Sequence, residues 1–249
     1  MGLTRPHVLA LPGLLCDDFV WEVQAEALGD VADVTIADLT EQDDLTDMAR
    51  AALASVDGPV HVFGHSMGGR VAFEMWRLAP ERVESLVVLD TGVHPAGPGE
   101  PASRQAVLDI SANEGMRALA EAWLPPMVHP DRRADASFME PLRKMVQRAT
   151  PAQHARQIKA LLTRPDATPL LGTITVPTLL IVGRQDEWSP VLQHERIAAA
   201  IVGARLEVIE HSGHMVTLEQ PDVVAEMLVD WIHDRLSDGE HARVPDPDC

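Results

Sequence analysis

Short apolar runs recur along this chain, and apolar residues at helical spacing fill the intervals between them. That alternation favours a parallel sheet, because parallel neighbours need a long crossover and a helix is the usual one. The runs are HVLAL (7–11), ADVTIADL (32–39), VHVFG (60–64), SLVVLD (85–90), PTLLIVG (177–183) and RLEVIE (205–210). Unbroken apolar stretches of this length suit strands buried on both faces. Between them, 67–79 sets Val71, Met75 and Leu78 on one helical face, and Pro80 closes it. Ser189-Pro190 reads as an N-cap followed by proline at the first helical position. Pro221 opens a last helix carrying Val224, Met227, Leu228 and Trp231 at helical spacing.

One stretch breaks the pattern. Between Asp90 and Pro177 no strand is legible, and 103–123, 131–148 and 151–164 read as helices. The expected fold class is therefore α/β: a mostly parallel twisted sheet of about six strands flanked by helices, with a helical lid inserted after the fourth strand. The core takes 1–92 and 170–236, and the lid takes 93–169. The polar tail 237–249 is expected to be disordered.

Charge and composition exclude several classes of function. At a formal net charge of −18 the surface repels phosphate backbones and anionic lipid, so neither nucleic acid nor a membrane is an expected partner. No apolar run nears the roughly 20 residues of a membrane span. The start, MGLTRPHVLALPG, lacks the long apolar region of a signal peptide, so a cytoplasmic location is expected. The two cysteines, Cys16 and Cys249, suggest neither a disulfide framework nor a metal site. A small-molecule substrate is the expected partner, with no cofactor.

The chemistry centres on GHSMGG (64–69), which lies between a strand and a helix and matches G-x-S-x-G. A sharp strand-to-helix turn exposes the serine hydroxyl, and side chains at 64 or 68 would collide with backbone. Ser66 is thus the candidate nucleophile, placed at a helix N-terminus where developing negative charge is favoured. A serine needs a base. His214, in SGHM after the sixth run, is the candidate, with His211 the nearest rival; Gly213 is expected to turn the loop. Asp186, after the fifth run, would fix the tautomer of the imidazole. Asp90, after the fourth, is the alternative acid, and its other role would be to order loops. Two backbone N–H groups should face the developing oxyanion: that of Met67 and that of Leu14, after the Pro12-Gly13 turn.

GHSMGG, APERV (79–83), PTLLIVGRQD (177–186), SGHM (212–215) and PGLLCDDFVW (12–21) together resemble the α/β-hydrolase superfamily over about residues 7 to 236. The resemblance implies a serine esterase-like member with a helical lid. Many relatives carry His-Gly where this chain has Pro12-Gly13, and an extra first hairpin for which only Met1 to Pro6 remain here. Dehalogenases and epoxide hydrolases of the superfamily have aspartate at the position of Ser66, and epoxide hydrolases also use lid tyrosines; this chain has no tyrosine. Relatives that cleave carbon–carbon bonds often carry Asn where His65 stands.

The expected function is hydrolysis of a carboxylic ester, lactone or thioester of a small, largely apolar substrate through an acyl-enzyme. The alternatives are a carbon–carbon bond hydrolase of the meta-cleavage type, which needs a basic residue in the pocket, and a ligand receptor without turnover. The expected pocket residues are His65, Trp123, Met127, Phe138, Met145, Trp188 and Met215. As carboxylate clamps, Arg117, Arg143, Lys144 and Arg184 come into question.

Overall fold

The computed structural model describes residues 5–241. Six parallel strands form one sheet: β1 (His7–Leu11), β2 (Asp33–Ile36), β3 (Val60–His65), β4 (Val83–Leu89), β5 (Thr178–Gly183) and β6 (Arg205–Ile209). Their order is β2-β1-β3-β4-β5-β6. From β1 the chain first moves outward to β2, then crosses back over β1 to β3. Right-handed crossovers in opposite directions lay their helices on opposite faces, and they leave a crevice at the carboxyl ends of β1 and β3. Register brings the strand ends level there, Leu11 with Gly64 and His65 with Leu89. On the far side, Gly183 is level with Ile209.

The core helices are α1 (Glu22–Leu28), α2 (Leu45–Ala54) and α3 (Met67–Leu78). Between β4 and β5 come α4 (Glu100–Asn113), α5 (Met116–Trp123), α6 (Ala136–Arg148) and α7 (Pro151–Leu162). After β5 follow α8 (Val191–Ala200), α9 (Val216–Glu219) and α10 (Pro221–His241). α1 packs on α10, and α2 packs on α3. The central strands β3 and β5 are buried at every position, whereas β2 and β6, at the two edges, are only partly covered. Val62, Phe63, Leu86, Val88, Leu180 and Ile181 are wholly inaccessible and form the middle of the core.

Several boundaries differ from the sequence reading. The helix expected over 103–123 is two, because Gly115 adopts φ +88° between α4 and α5. A side chain is strained in that left-handed region, and glycine is not. The helix expected from 131 begins at Ala136, where the Asp135 carboxylate caps the amides of Ser137 and Phe138. Ser189 does not cap α8. Pro190 has ψ 156°, which is extended, so the helix starts at Val191 with Pro190 as the cap position. β2 is shorter than the run 32–39, because Asp38 turns the chain by accepting from the amide of Thr40. α10 continues past residue 236 through His241, and no proline interrupts it there. The expected disorder of 242–249 lies outside the described residues, as do Cys249 and the first four residues of Met1 to Pro6.

Candidate active site

The turn after β3 is built by steric exclusion. A Cβ on Gly64 would stand 2.5 Å from the carbonyl oxygen of Gly68, and one on Gly68 would stand 2.1 Å from that of Leu11. Both contacts are with backbone, so nothing could move aside, and α3 can start this close to β1 only through glycine. Ser66 itself takes φ +53° and ψ −111°, a conformation that costs a side-chain-bearing residue on the order of 1–3 kcal/mol. Neighbours hold it there: its amide donates to Leu89 O at 2.9 Å, and the Thr91 hydroxyl donates to its carbonyl at 2.7 Å.

The structure brings the three sequence-identified side chains together. Ser66 Oγ lies 2.8 Å from His214 Nε2, and His214 Nδ1 lies 2.8 Å from Asp186 Oδ2. With the Asp186 carboxylate accepting from Nδ1–H, Nε2 is left as an acceptor for the serine proton. The other oxygen of Asp186 accepts from the amides of Trp188 and Ser189 at 2.8 and 2.9 Å. Burial opposes charge on Asp186, but attraction to His214 and these hydrogen bonds outweigh it and hold the carboxyl below its ordinary range. Burial likewise disfavours a charged His214, yet Asp186, then Asp90 and Glu219, raise it above the usual histidine value.

The rival residues fall elsewhere. His211 is exposed and turns its ring edge to His129, 6.0 Å away. Glu187 is exposed. Asp90 accepts from the amides of Gly183 and Val216 at 3.0 Å each and so ties the β5 end to the segment after His214. Burial and then the Asp186 charge push its pKa well up. His65 donates from Nε2 to His214 O at 2.8 Å, and burial brings it down to about 4, so it stays neutral near pH 7. Cys16 is no competing nucleophile, since burial and then Asp17 push its thiol up to about 12.

Gly213 does not turn the base loop in the way expected. The left-handed residue there is His211, at φ +57°. Gly213 is needed for space, because a Cβ on it would meet Met127 O and His129 N at 2.9 Å. The segment at 127–129 is in turn bound to the base loop: His214 N donates to Met127 O at 2.7 Å, and the buried Glu219 carboxylate accepts from Gly213 N and His129 N at 2.7 Å each.

The loop after β1 lies against the same turn. A Cβ on Gly13 would stand 3.3 Å from Ser66 Cβ and 2.9 Å from His65 Nδ1. Leu14 and Met67 line a cavity with Ser66, and neither of their amides has a hydrogen-bond partner among the described residues. Leu15, at φ +59°, donates its amide at 3.0 Å to the side chain of Gln157 on α7, which fixes this loop from the insertion.

The cavity measures about 350 Å³. His65, Trp123, Met127, Trp188 and Met215 line it as expected, whereas Phe138 and Met145 do not. Met145 points into the packing of α6, almost inaccessible, and the Phe138 ring carries the Arg132 guanidinium 4.9 Å from its centre. The basic residues expected as clamps are also elsewhere. Arg143, Lys144 and Arg184 pair with Glu121, Glu140 and Glu210, and Arg117 is exposed. The cavity is instead lined by Arg70, Arg104 and Arg164. Arg70 had a signal in the sequence, because it follows Ser66 by four residues and so shares a helical face with it. The other two are brought in by the packing of the insertion, which no local pattern shows. Among the described residues, no cluster of His, Cys, Asp and Glu could hold a metal ion, and no helix is long and apolar enough to cross a membrane.

Comparison with known proteins agrees with this geometry. The chain is 27% identical over 225 residues to the pimeloyl-(acyl-carrier protein) methyl ester esterase of Neisseria meningitidis serogroup A, covering 88% of this chain and 70% of that one. It is 28% identical over 189 residues to the 2-hydroxy-6-oxononadienedioate/2-hydroxy-6-oxononatrienedioate hydrolase of Paraburkholderia xenovorans, covering 70% of this chain and 62% of that one. Among solved structures, a malate-bound thermophilic esterase from Thermogutta terrifontis superposes with a TM-score of 0.85 at 28% identity, over 93% of this chain and 91% of that one. The family model of the alpha/beta hydrolases matches residues 4–227, and the chain is a member of that family, an enzyme of its esterase and hydrolase type.

Proposed function

We propose that the chain hydrolyses a carboxylic ester of a small substrate through an acyl-enzyme on Ser66. The observation that carries this reading is the unbroken relay from Ser66 Oγ to His214 to Asp186, 2.8 Å at each step, opening into the cavity. Ser66 Oγ attacks the ester carbonyl while His214 Nε2 takes its proton. The carbonyl oxygen becomes an oxyanion beside the amides of Leu14 and Met67, whose donors are uncommitted. His214 then protonates the departing alcohol as the carbon–oxygen bond breaks. Water, losing its proton to His214, cleaves the acyl-enzyme, and the proton returns to Ser66. The named activities of the Neisseria and Thermogutta relatives support an ester as the bond cleaved. The test is labelling by a fluorophosphonate together with turnover of a short-chain p-nitrophenyl ester, both abolished in Ser66→Ala. A protein that turns over the ester equally well without the hydroxyl would end this reading.

A second reading is favoured by the arginines in the cavity and by the Paraburkholderia relative. The same residues would cleave a carbon–carbon bond in a diketo acid. Turnover of a ring-fission diketo acid in the absence of any esterase activity would favour it.

A further inference from the structure

Three guanidinium groups, Arg70 on α3, Arg104 on α4 and Arg164 after α7, face one cavity, and Glu100 is the carboxylate that the latter two share. Asp90 also lines the cavity, but both its oxygens are occupied by the amides of Gly183 and Val216. In a chain with a net charge of −18, a basic wall beside the nucleophile is not a by-product of composition.

The hydrogen bonds divide the three arginines by role. Arg164 is saturated: it reaches Glu100 through both Nη atoms, and the carbonyls of His94, Pro95 and Leu161 with its remaining donors. It is a structural anchor, only 8% exposed. Arg104 directs Nε and Nη2 to the same Glu100 oxygen, at 3.3 and 3.1 Å, and leaves Nη1 uncommitted. Arg70 makes one bond, from Nη1 to His94 O at 3.0 Å, and has no carboxylate within ion-pair reach among the described residues. A guanidinium has five N–H donors arranged as a fork that fits a carboxylate. Arg70 therefore presents unused donors and a charge that no carboxylate pairs directly, with Glu100 attracting it only from beyond ion-pair distance. Burial, then Arg164, brings its pKa down to about 9, which still leaves it charged at neutral pH while disfavouring that charge. Glu100 is charged too: burial works against it, but hydrogen bonds and attraction from Arg164 and then Arg104 hold it at about 2.

We propose that Arg70 and Arg104 form a subsite for a carboxylate that the substrate carries apart from the bond being cleaved. The substrate class is then a half-ester of a short dicarboxylic acid, or a lactone of one that carries a hydroxyl. Arg70 lies four residues along α3 from Ser66, about 6 Å of helix rise, so the two carbonyl groups of one short diacid can meet both positions. Trp123, Met127 and Met215 would cover its methylenes. This rests on the ester-hydrolase reading, and the test separates the two.

Monomethyl and dimethyl adipate differ by one charge at one end. The expected kcat/KM is at least tenfold higher for the monoester, with that ratio falling tenfold or more in Arg70→Gln and in Arg104→Gln. In parallel, calorimetry with adipate and Ser66→Ala should show binding that Arg70→Gln removes. Melting temperatures are taken first, and because Arg70 makes only one hydrogen bond to a carbonyl, its variant is the one that decides if Arg104→Gln fails to fold. Equal cleavage of both esters, unaffected by Arg70→Gln, overturns the subsite while leaving the hydrolase reading intact. Cleavage of neither ester, with adipate binding that depends on Arg70, keeps the subsite and overturns the ester chemistry. No cleavage and no binding overturns both.

Discussion

The carboxyl edge of the sheet and the helical insertion between β4 and β5 meet at one cavity but contribute to it in different ways. The sheet edge delivers the side chains of the relay, Ser66, Asp186 and His214, each on a loop that leaves the carboxyl end of a strand. The insertion delivers restraint and a binding wall: Met127 O holds His214 N, Gln157 holds Leu15 N, and Arg104 and Arg164 line the cavity. The strands that lead to Ser66 and Asp186 are buried at every position, whereas β6, which leads to His214, is only partly covered. The insertion is uneven: in α4 only Ser111 is buried, whereas α5, α6 and α7 each bury a full face. The lesson is that the sheet edge places the groups of the relay, while the insertion governs how they are aligned.

Substitutions can break that division in order of size. Ser66→Ala and His214→Ala remove reacting groups from the edge, and each should lower kcat on the order of 10⁵–10⁶-fold with little change in melting temperature. If either left rapid, specific turnover, the edge would not be the seat of the chemistry. Asp186→Asn should cost about 10⁴-fold, and Asp90→Asn about 10²-fold, since it only orders loops. The opposite ranking would exchange the roles of the two carboxylates.

The same pair sets a pH dependence. The base must be neutral to act, and Asp186 holds its pKa above the usual 6.5. The acid limb of kcat/KM should therefore have its midpoint above pH 6.5, and Asp186→Asn should move it lower. A folded-state histidine pKa raised in this way adds stability fully present below the unfolded value. That stability is lost as pH rises through the folded value.

Smaller effects probe the insertion. Glu219→Gln weakens the bracket between residue 129 and the base loop; the expected loss is up to about 10²-fold in kcat, with KM little changed. If kcat did not move, the insertion would be a passive cover. Gln157→Leu leaves the buried Leu15 amide without a partner and should cost roughly 1–3 kcal/mol by thermal unfolding. Its neighbour Lys159, paired with Asp43 at the exposed surface, should contribute under about 1 kcal/mol when replaced by Ala. A reversal would mean that surface pairs, not the buried clamp, fasten the insertion to the core.

The same division explains what could be read from the sequence. Strands, the glycines around Ser66, and the order Ser66, Asp186, His214 are local signals: each depends on a few consecutive residues and on loops that must leave a strand end. The six strands and the meeting of those three side chains were therefore legible. The cavity wall was not. Phe138 and Met145 have pocket-like chemistry, but the rotation of α6 about its axis decides where they point. Arg104 and Arg164 reach the cavity only because α4 and α7 pack on each other, and Gly213 is small because a segment 84 positions earlier passes beside it.

The hydrogen bond from His214 to Met127 has a corollary. Displacing 127–129 would remove the acceptor of the His214 amide and loosen the backbone that carries the imidazole, even with Asp186 still on the ring. Since Met127 also lines the cavity, how a substrate seats against it bears directly on the placement of the catalytic base.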